Sequence, residues 1–236
     1  MTSIPNLRDV GGLPAAGGTV RHHRLLRSAL PHADDVVPSE IAWPPAVVVD
    51  LRSPGEQQHE HPLAGLPSQH LNLPLLSALD PAKGWAADLP ELYGRVVQEA
   101  PHLLVSFVDT VAATDGAVLV HCAAGKDRTG ISVALVLRLL GVEHDPVIQD
   151  YLLTEQAREE IDRRLRRDDD YAVPAAFFDV RSDALEIALE AWDDHGDGVA
   201  GWYLAAGGSE HRLAALRAGM IDQLPASPDS ASPLSR

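Results

Sequence analysis

The chain is poor in thiols and in basic side chains. Its 236 residues include one cysteine, so no disulfide can form within the chain, which fits a reducing compartment and leads us to expect a cytoplasmic location. Acidic residues outnumber basic ones by 34 to 19, and the formal net charge at pH 7 is −15. Because nucleic acid is bound by basic surfaces, this balance argues against nucleic acid as a partner, although one small positive pocket can exist inside an acidic exterior.

Long apolar runs are also missing. No stretch approaches the roughly 20 apolar residues that span a bilayer, so we expect no integral membrane segment. The first residues, MTSIPNLRDVGG, lack a basic segment followed by an apolar one, and no secretory signal is expected. A hydrophobic content of 45% and a charged content of 22% are ordinary for a globular protein. The sequence leaves the oligomeric state open.

Apolar strands and amphipathic helices alternate along the chain. The runs AVVVDL at 46–51 and AVLVH at 117–121 are typical of strands buried in a parallel sheet. A weaker alternating run at 70–75 predicts another short strand. Helical patterns cover 89–114 with a break near Pro101, then 182–192, 199–206 and 210–219. This order predicts an α/β fold, a central sheet with a helical C-terminal part.

Other local patterns predict the connections. Thr19–Ser28 reads as one strand after a Gly-Gly turn. Asp145 and Pro146 read as the N-cap and first turn of a long helix that reaches Arg167. Within that helix, the arginines of 158–167 alternate with glutamates, which favours a solvated face over a lid lining an anionic substrate. The residues 223–236 have the composition of a disordered tail.

The one cysteine lies in the stretch HCAAGKDRTG at 121–130, between a predicted strand and a helix expected over about 129–140. The amides of such a loop and the N-terminus of the helix form an anion site, and Arg128 can grip two phosphate oxygens. The same field stabilises the thiolate of Cys122, which is then placed for in-line attack on phosphorus. The pattern therefore predicts phosphoryl transfer through a cysteinyl-phosphate, with neither metal nor cofactor.

The neighbours of Cys122 suggest further roles. Asp127 is the nearest carboxylate and is our candidate for the general acid, then the base for water; alternatively it pairs with an arginine and holds the loop. His121 is expected to orient the loop, and Thr129 to donate a hydrogen bond to the sulfur. The residues expected to bind substrate are Ala123, Ala124, Gly125, Lys126 and Thr129.

Lysine usage adds a hint about substrate charge. The chain has two lysines, Lys83 and Lys126, against seventeen arginines. A compact ammonium in the loop suggests contact with a second charge on the substrate. Asp50 and Arg52, just after the strand at 46–51, are interpreted as structural.

The loop resembles the signature of cysteine-dependent phosphatases, H-C-x5-R-[ST], and its interior resembles the atypical bacterial tyrosine-protein phosphatases of the tyrosine/serine type. Further stretches agree with that family, and together they extend the resemblance over about 4–220. They are NLRDVGG at 6–12, LLRSA at 25–29, VVDLRSPGE at 48–56, DYLLTE at 150–155 and the helical segment at 198–218.

The resemblance implies a single phosphatase domain over 1–222, with a mostly parallel central sheet flanked by helices and the loop at its C-terminal edge. It also implies a helical lid-like insertion within 150–195 and an enzyme that hydrolyses phosphotyrosine in proteins, with phosphoserine and phosphothreonine as further substrates. A Lys and an Asp inside the loop are similar to those of enzymes acting on phosphoinositides, so a phosphoinositide is the alternative substrate. In related loops the Asp before the arginine is the acid. Two prolines after Ser39 depart from the family pattern, in which a helix leads into the strand.

Two other functions compete with a phosphatase. Rhodanese-type sulfurtransferases also place a cysteine on a basic cradle, but the Lys-Asp-Arg-Thr-Gly run and the preceding histidine argue against that function. A non-catalytic phosphate-binding module is the second alternative. An intact Cys122, Arg128 and candidate acid in one loop argue against it.

Overall fold

The computed structural model describes residues 3–165 and 179–223. Its strands form a five-stranded sheet in the order β1-β4-β7-β5-β6 and a three-stranded sheet in the order β2-β3-β8. The strands are β1 (Arg8–Asp9), β2 (Pro14–Ala15), β3 (Gly18–Val20), β4 (Leu25–Ser28), β5 (Val47–Asp50), β6 (Gln69–Asn72), β7 (Val118–His121) and β8 (Ile221–Gln223).

Helices cover the larger sheet and follow the predicted pattern closely. Pro101 separates α1 from α2, as expected from its missing N–H. The helices are α1 (Leu89–Glu99), α2 (Pro101–Ala113), α3 (Asp127–Leu139), α4 (His144–Leu152), α5 (Arg158–Leu165), α6 (Ser182–Asp193), α7 (Gly198–Ala205) and α8 (Glu210–Met220). The predicted α/β fold with a mostly parallel central sheet flanked by helices is confirmed. No helix in the described part of the chain is long and apolar enough to cross a membrane.

Strand β7 lies in the middle of the larger sheet and carries the loop at its carboxyl end. It pairs in parallel with β4 on one side and β5 on the other, so that Ser28, His121 and Asp50 lie side by side. Only β1 is antiparallel in this sheet. Because parallel strands end at the same edge, the segments that follow β4, β5 and β7 converge around the loop.

The two faces of the sheet explain the continuous apolar runs. On β7, Val118 and Val120 face the large core formed with the helices. Leu119 faces a smaller core on the opposite side, together with Leu26 and Val48. Since both faces are covered, three successive residues of β7 are apolar rather than every second one.

The structure corrects two of the local predictions around the sheet. The expected single strand Thr19–Ser28 is two strands, β3 and β4, because His23 adopts a positive φ of 62° and turns the chain between them. β3 instead pairs with β8 in the smaller sheet. Gln223 belongs to β8, so the predicted tail begins inside a strand, and the rest of that tail lies outside the described residues.

The long helix predicted from Asp145 is also wrong in its start and its continuity. α4 begins at His144 with Glu143 as N-cap, which places Asp145 inside the first turn. A 3-10 turn, Leu153–Ala157, then separates α4 from α5. Part of the predicted lid, 166–178, lies outside the described residues.

The arginines of α5 are only partly on a solvated face. Arg158 pairs with Glu155 at the surface, as expected. Arg164 instead forms two hydrogen bonds of 2.7 and 2.9 Å with Asp35, whose side chain is 2% exposed. One arginine of this series therefore joins α5 to the N-terminal part of the fold.

Candidate active site

The loop after β7 wraps around the sulfur of Cys122, which is buried. The N–H of Gly125 donates a hydrogen bond to Sγ across 3.2 Å. Gly125 has a φ of +65°, and a Cβ at this position would lie 2.3 Å from the carbonyl carbon and oxygen of Ser28. Only glycine fits, because any side chain would both strain the backbone and collide with β4.

The outer side of the loop is fixed by side chains from distant segments. The carbonyl of Gly125 accepts hydrogen bonds from Asn6 Nδ2 at 2.8 Å and Arg27 Nη2 at 3.0 Å. Arg27 also donates to Asp150 Oδ2 at 2.6 Å, and Arg8 donates to Asp150 Oδ1 at 2.8 Å. Although burial acts to raise it, the two guanidinium groups hold the pKa of Asp150 below its usual range. This carboxylate therefore stays charged between them.

The inner side of the loop is formed by the first turn of α3. This helix of 13 residues begins at Asp127, so its N-terminal partial positive charge faces the loop. Arg128 makes a two-pronged contact with Glu56, with Nη1 to Oε2 at 2.6 Å and Nη2 to Oε1 at 2.8 Å. Glu56 follows β5 in the DLRSPGE stretch and also accepts from the N–H of Ser53. The guanidinium of Arg128 is thus held by a residue that follows β5, the strand next to β7.

The candidate acid Asp127 lies beside two phenols, and 23% of its side chain is exposed. Tyr93 Oη lies 3.1 Å from Asp127 Oδ1 and 3.1 Å from Tyr151 Oη. Burial raises the pKa of the Asp127 carboxyl above its usual range, against the opposing effect of Lys126 and the other donors. A raised pKa favours the protonated form, which a general acid needs. Gly130 makes this arrangement possible, because a Cβ there would lie 2.8 Å from the ring of Tyr151.

The contacts of Lys126 and Thr129 differ from those that the sequence suggested. The ammonium of Lys126 is buried, donates to the backbone carbonyl of Asp179 at 2.7 Å and lies 3.5 Å from Asp127 Oδ1. Lys126 therefore links the loop to the chain that enters α6. Thr129 Oγ1 is buried and has no hydrogen-bond partner within 3–165 and 179–223, so it is not bonded to the sulfur in this structure.

His121 lies behind the cysteine in a chain of hydrogen bonds. The N–H of Leu63 donates to His61 Nδ1 at 3.1 Å, and the two Nε2 atoms of His61 and His121 are 2.9 Å apart. His121 Nδ1 lies 3.2 Å from the carbonyl of Cys122. Because a backbone N–H only donates and a carbonyl only accepts, both rings are neutral, and His61 donates to His121. Burial lowers the pKa of each histidine to about 4, in agreement with this assignment.

One group of side chains in the described ranges is close enough to share a metal ion: Asp50, His61 and His121. Their donor atoms already have partners in the structure. Asp50 binds the guanidinium of Arg52 with a shortest distance of 2.7 Å, and the two imidazoles bind each other. We therefore interpret the group as a hydrogen-bonded support of β5 and β7, in line with a structural role for Asp50 and Arg52.

Among the predicted residues, Gly125 donates a hydrogen bond to the sulfur of Cys122, and the structure adds residues that the sequence did not reveal. Ala123, Ala124 and Asp127 are half-buried, and the other predicted residues of the loop are buried. The additional residues are Asn6, Arg27, Glu56, His61, Tyr93 and Asp150. Four of them lie in the stretches NLRDVGG, LLRSA, DLRSPGE and DYLLTE, and the resemblance of these stretches to a phosphatase family was the available signal.

Comparisons with known proteins agree with this arrangement. A family model described as "Tyrosine phosphatase family" matches residues 1–222. A Cupriavidus necator protein named "Putative tyrosine-protein phosphatase" is 33% identical over 221 residues, which cover 85% of this chain and 78% of that protein.

Two shorter matches are local. The chain is 41% identical over 68 residues to the "Triple specificity protein phosphatase PtpB" of Mycobacterium tuberculosis, covering 29% of this chain and 23% of that protein. It is 44% identical over 54 residues to a "Tyrosine-protein phosphatase" of Nostoc commune, covering 23% and 18%.

Proposed function

We propose the following roles for the residues of the loop, from the premise that this chain belongs to the tyrosine phosphatase family. The chain is an enzyme that hydrolyses phosphotyrosine through a cysteinyl-phosphate intermediate. Cys122 is the nucleophile, Arg128 and the loop amides bind the phosphoryl oxygens, and Asp127 transfers protons.

In the first step the thiolate of Cys122 attacks phosphorus as the bond from phosphorus to the tyrosine oxygen breaks. The proton on Asp127 passes to the departing oxygen, so the phenol leaves neutral. The charge on the equatorial oxygens faces the N-terminus of α3, the Gly125 N–H and the guanidinium of Arg128.

In the second step Asp127, now a carboxylate, accepts a proton from water while the water oxygen attacks phosphorus. The bond from sulfur to phosphorus breaks, inorganic phosphate leaves and the thiolate returns. The phenol of Tyr93, 3.1 Å from Asp127 Oδ1, supports the carboxylate between the two steps.

The observation that carries these roles is the hydrogen bond from Gly125 N–H to Cys122 Sγ inside a loop that opens α3. A sulfur that accepts an amide hydrogen bond at a helix N-terminus is stabilised as a thiolate. A sulfurtransferase also needs a thiolate, but it has no use for a raised-pKa carboxyl next to the arginine.

A phosphorylated protein is the substrate class we propose, with phosphotyrosine before phosphoserine and phosphoinositide. Lys126, the residue that suggested a second substrate charge, has its ammonium bound to the carbonyl of Asp179. The relative named "Triple specificity protein phosphatase PtpB" supports some breadth of substrate. A single domain over 1–222 and a cytoplasmic location complete the proposal.

The test is phosphate release from phosphotyrosine peptides, phosphoserine peptides and phosphoinositides by the wild type beside Cys122→Ser. We expect release by the wild type alone, fastest from phosphotyrosine, and a loss of about 1,000-fold or more in the variant. The variant should still bind inorganic phosphate. Release by Cys122→Ser at the wild-type rate, or a preference for phosphoinositides, would overturn the corresponding part of the proposal.

A further inference from the structure

The carbonyl of Gly125 is held on the outside of the loop by two donors from neighbouring segments, Asn6 just before β1 and Arg27 in β4. We infer that Asn6 and Arg27 are positioning residues of the phosphatase, and we call these two side chains with Arg8 and Asp150 the loop clamp. The clamp fixes the peptide between Gly125 and Lys126 so that its N–H faces the sulfur and the bound phosphate. This inference rests on the proposed role of Cys122.

The geometry of a trans peptide carries the first step. In such a unit the N–H points opposite to the C=O, so a carbonyl of Gly125 that is bound outside the loop directs the N–H of Lys126 inward. The preceding N–H, that of Gly125, already donates to Cys122 Sγ. Two successive N–H groups around a residue with φ of +65° form a concave anion site.

Without the clamp, the peptide between Gly125 and Lys126 could rotate, because Gly125 restricts its backbone little. Gly125 lacks a Cβ, so its backbone angles are restricted less than those of any other residue. Rotation of the peptide would turn the carbonyl oxygen toward the thiolate and the phosphate. A partial negative charge would then replace a donor at the place where negative charge is greatest during the reaction.

The clamp is built as a rigid unit. Arg27 is 1% exposed and divides its two Nη atoms between Asp150 and the loop carbonyl. Asn6 is oriented by Arg8, whose guanidinium donates to Asn6 Oδ1 and to Asp150. Asp150 lies in α4, and Asn6 Nδ2 also lies 3.3 Å from Thr154 Oγ1 in the turn that follows. Through these contacts, the position of α4 and of the turn that follows it determines how one peptide of the loop is oriented.

The single cysteine gives a direct measurement that needs no turnover. Iodoacetamide reacts with thiolates, so the pH dependence of alkylation, followed by intact mass, reports Cys122 alone. Asn6→Asp keeps the acceptor for Arg8 but loses the donor to Gly125. Asn6→Gly removes the donor without adding charge and tolerates the positive φ of 58° at this position. Arg27→Lys keeps the charge opposite Asp150 but replaces the two Nη donors by a single Nζ.

We expect the pH of half-maximal alkylation to rise by about one unit in all three variants, a roughly tenfold loss of thiolate at a given pH. The kcat for p-nitrophenyl phosphate should fall by about tenfold, and inhibition by vanadate should weaken in parallel. The matched control is Asn72, whose amide donates to two backbone carbonyls, those of Asp50 and Arg52, outside the loop. Asn72→Asp and Asn72→Gly should leave the alkylation profile unchanged.

Three results of the alkylation series would overturn the clamp. A shift in Asn6→Asp alone would show an effect of charge, and unchanged profiles in folded Asn6 and Arg27 variants would show that the loop peptide does not depend on these donors. An equal shift in the Asn72 variants would show a general loosening of the sheet edge. Absence of phosphate release by the wild type would contradict the proposed function instead, because alkylation does not depend on turnover.

Discussion

Two arginines lie on opposite sides of the loop, and each is paired with a carboxylate. Arg27 on the outside pairs with Asp150, and the two side chains are 1% and 7% exposed. Arg128 on the inside pairs with Glu56, and these side chains are 8% and 22% exposed. A deeply buried pair is costly to disturb and suits a fixed support, whereas a pair near solvent can adjust when a phosphate enters. The outer pair is buried as a structural support is, and the inner pair includes the residue that we propose binds phosphate.

The largest effect should come from breaking the outer pair. Asp150→Asn leaves the buried Arg27 and the partly buried Arg8 around a neutral amide, and we expect the free energy of unfolding to fall by about 3–5 kcal/mol. Urea denaturation at pH 7 measures this loss. As a control, Asp222→Asn removes the exposed partner of Arg21 and should cost no more than about 1 kcal/mol. Equal losses in the two variants would remove the distinction between a buried frame and a surface pair.

The corresponding change on the inner side should affect rate rather than stability. Glu56→Gln keeps the shape of the side chain but loosens Arg128, and we expect kcat for p-nitrophenyl phosphate to fall by about tenfold. The free energy of unfolding should change by about 1 kcal/mol or less, because the pair is partly exposed. A large loss of stability with normal kcat would reverse the assignment of the two sides.

A substitution of Asp127 tests a second residue on the inner side of the loop. Asp127→Asn cannot protonate the leaving oxygen, so the rate should fall about 100-fold for an alkyl phosphate and clearly less for p-nitrophenyl phosphate. Because the pKa of Asp127 is raised, the wild-type rate on the alkyl phosphate should decline as rising pH deprotonates this group, and the variant should lack that decline. Equal losses for both substrates would mean that Asp127 only shapes the loop.

The smallest effect concerns the histidines behind the loop. With the pKa of His61 and His121 lowered to about 4, the unfolded chain binds more protons between pH 6.5 and 4, so stability should fall as pH falls through this window. His61→Phe should reduce that slope by less than about 1.4 kcal/mol per pH unit, since the ring is only half-buried. Urea midpoints across pH, compared with His211→Phe on α8, measure it. An unchanged slope would contradict a neutral His61.

Short-range patterns account for what the sequence could predict. The apolar runs at 46–51 and 117–121 have the composition of strands covered on both faces, and β5 and β7 lie there. The loop at 121–130 is contiguous, so its chemistry could be read from neighbouring residues. The helix predicted from Asp145 to Arg167 failed because the charge pattern continues through 153–157, where the chain forms a 3-10 turn instead.

The supporting residues could not be assigned because they act at long range. Asn6 and Gly125 are 119 residues apart, and Arg27 and Asp150 are 123 apart. In one sequence a buried ion pair looks the same as two surface charges. Arg27 illustrates this, since nothing in LLRSA distinguishes a 1% exposed guanidinium from an ordinary edge-strand arginine.

The order of the clamp along the chain has a consequence for synthesis. A nascent chain that has exposed the loop but not yet Asp150 has Arg27 without its carboxylate, and a buried guanidinium in that state is unfavourable. At roughly 5–20 residues per second, the interval between residues 125 and 150 lasts a few seconds at most. During that interval the loop lacks its outer support. Cys122 is therefore expected to reach its full reactivity only after α4 has emerged from the ribosome and folded against the sheet.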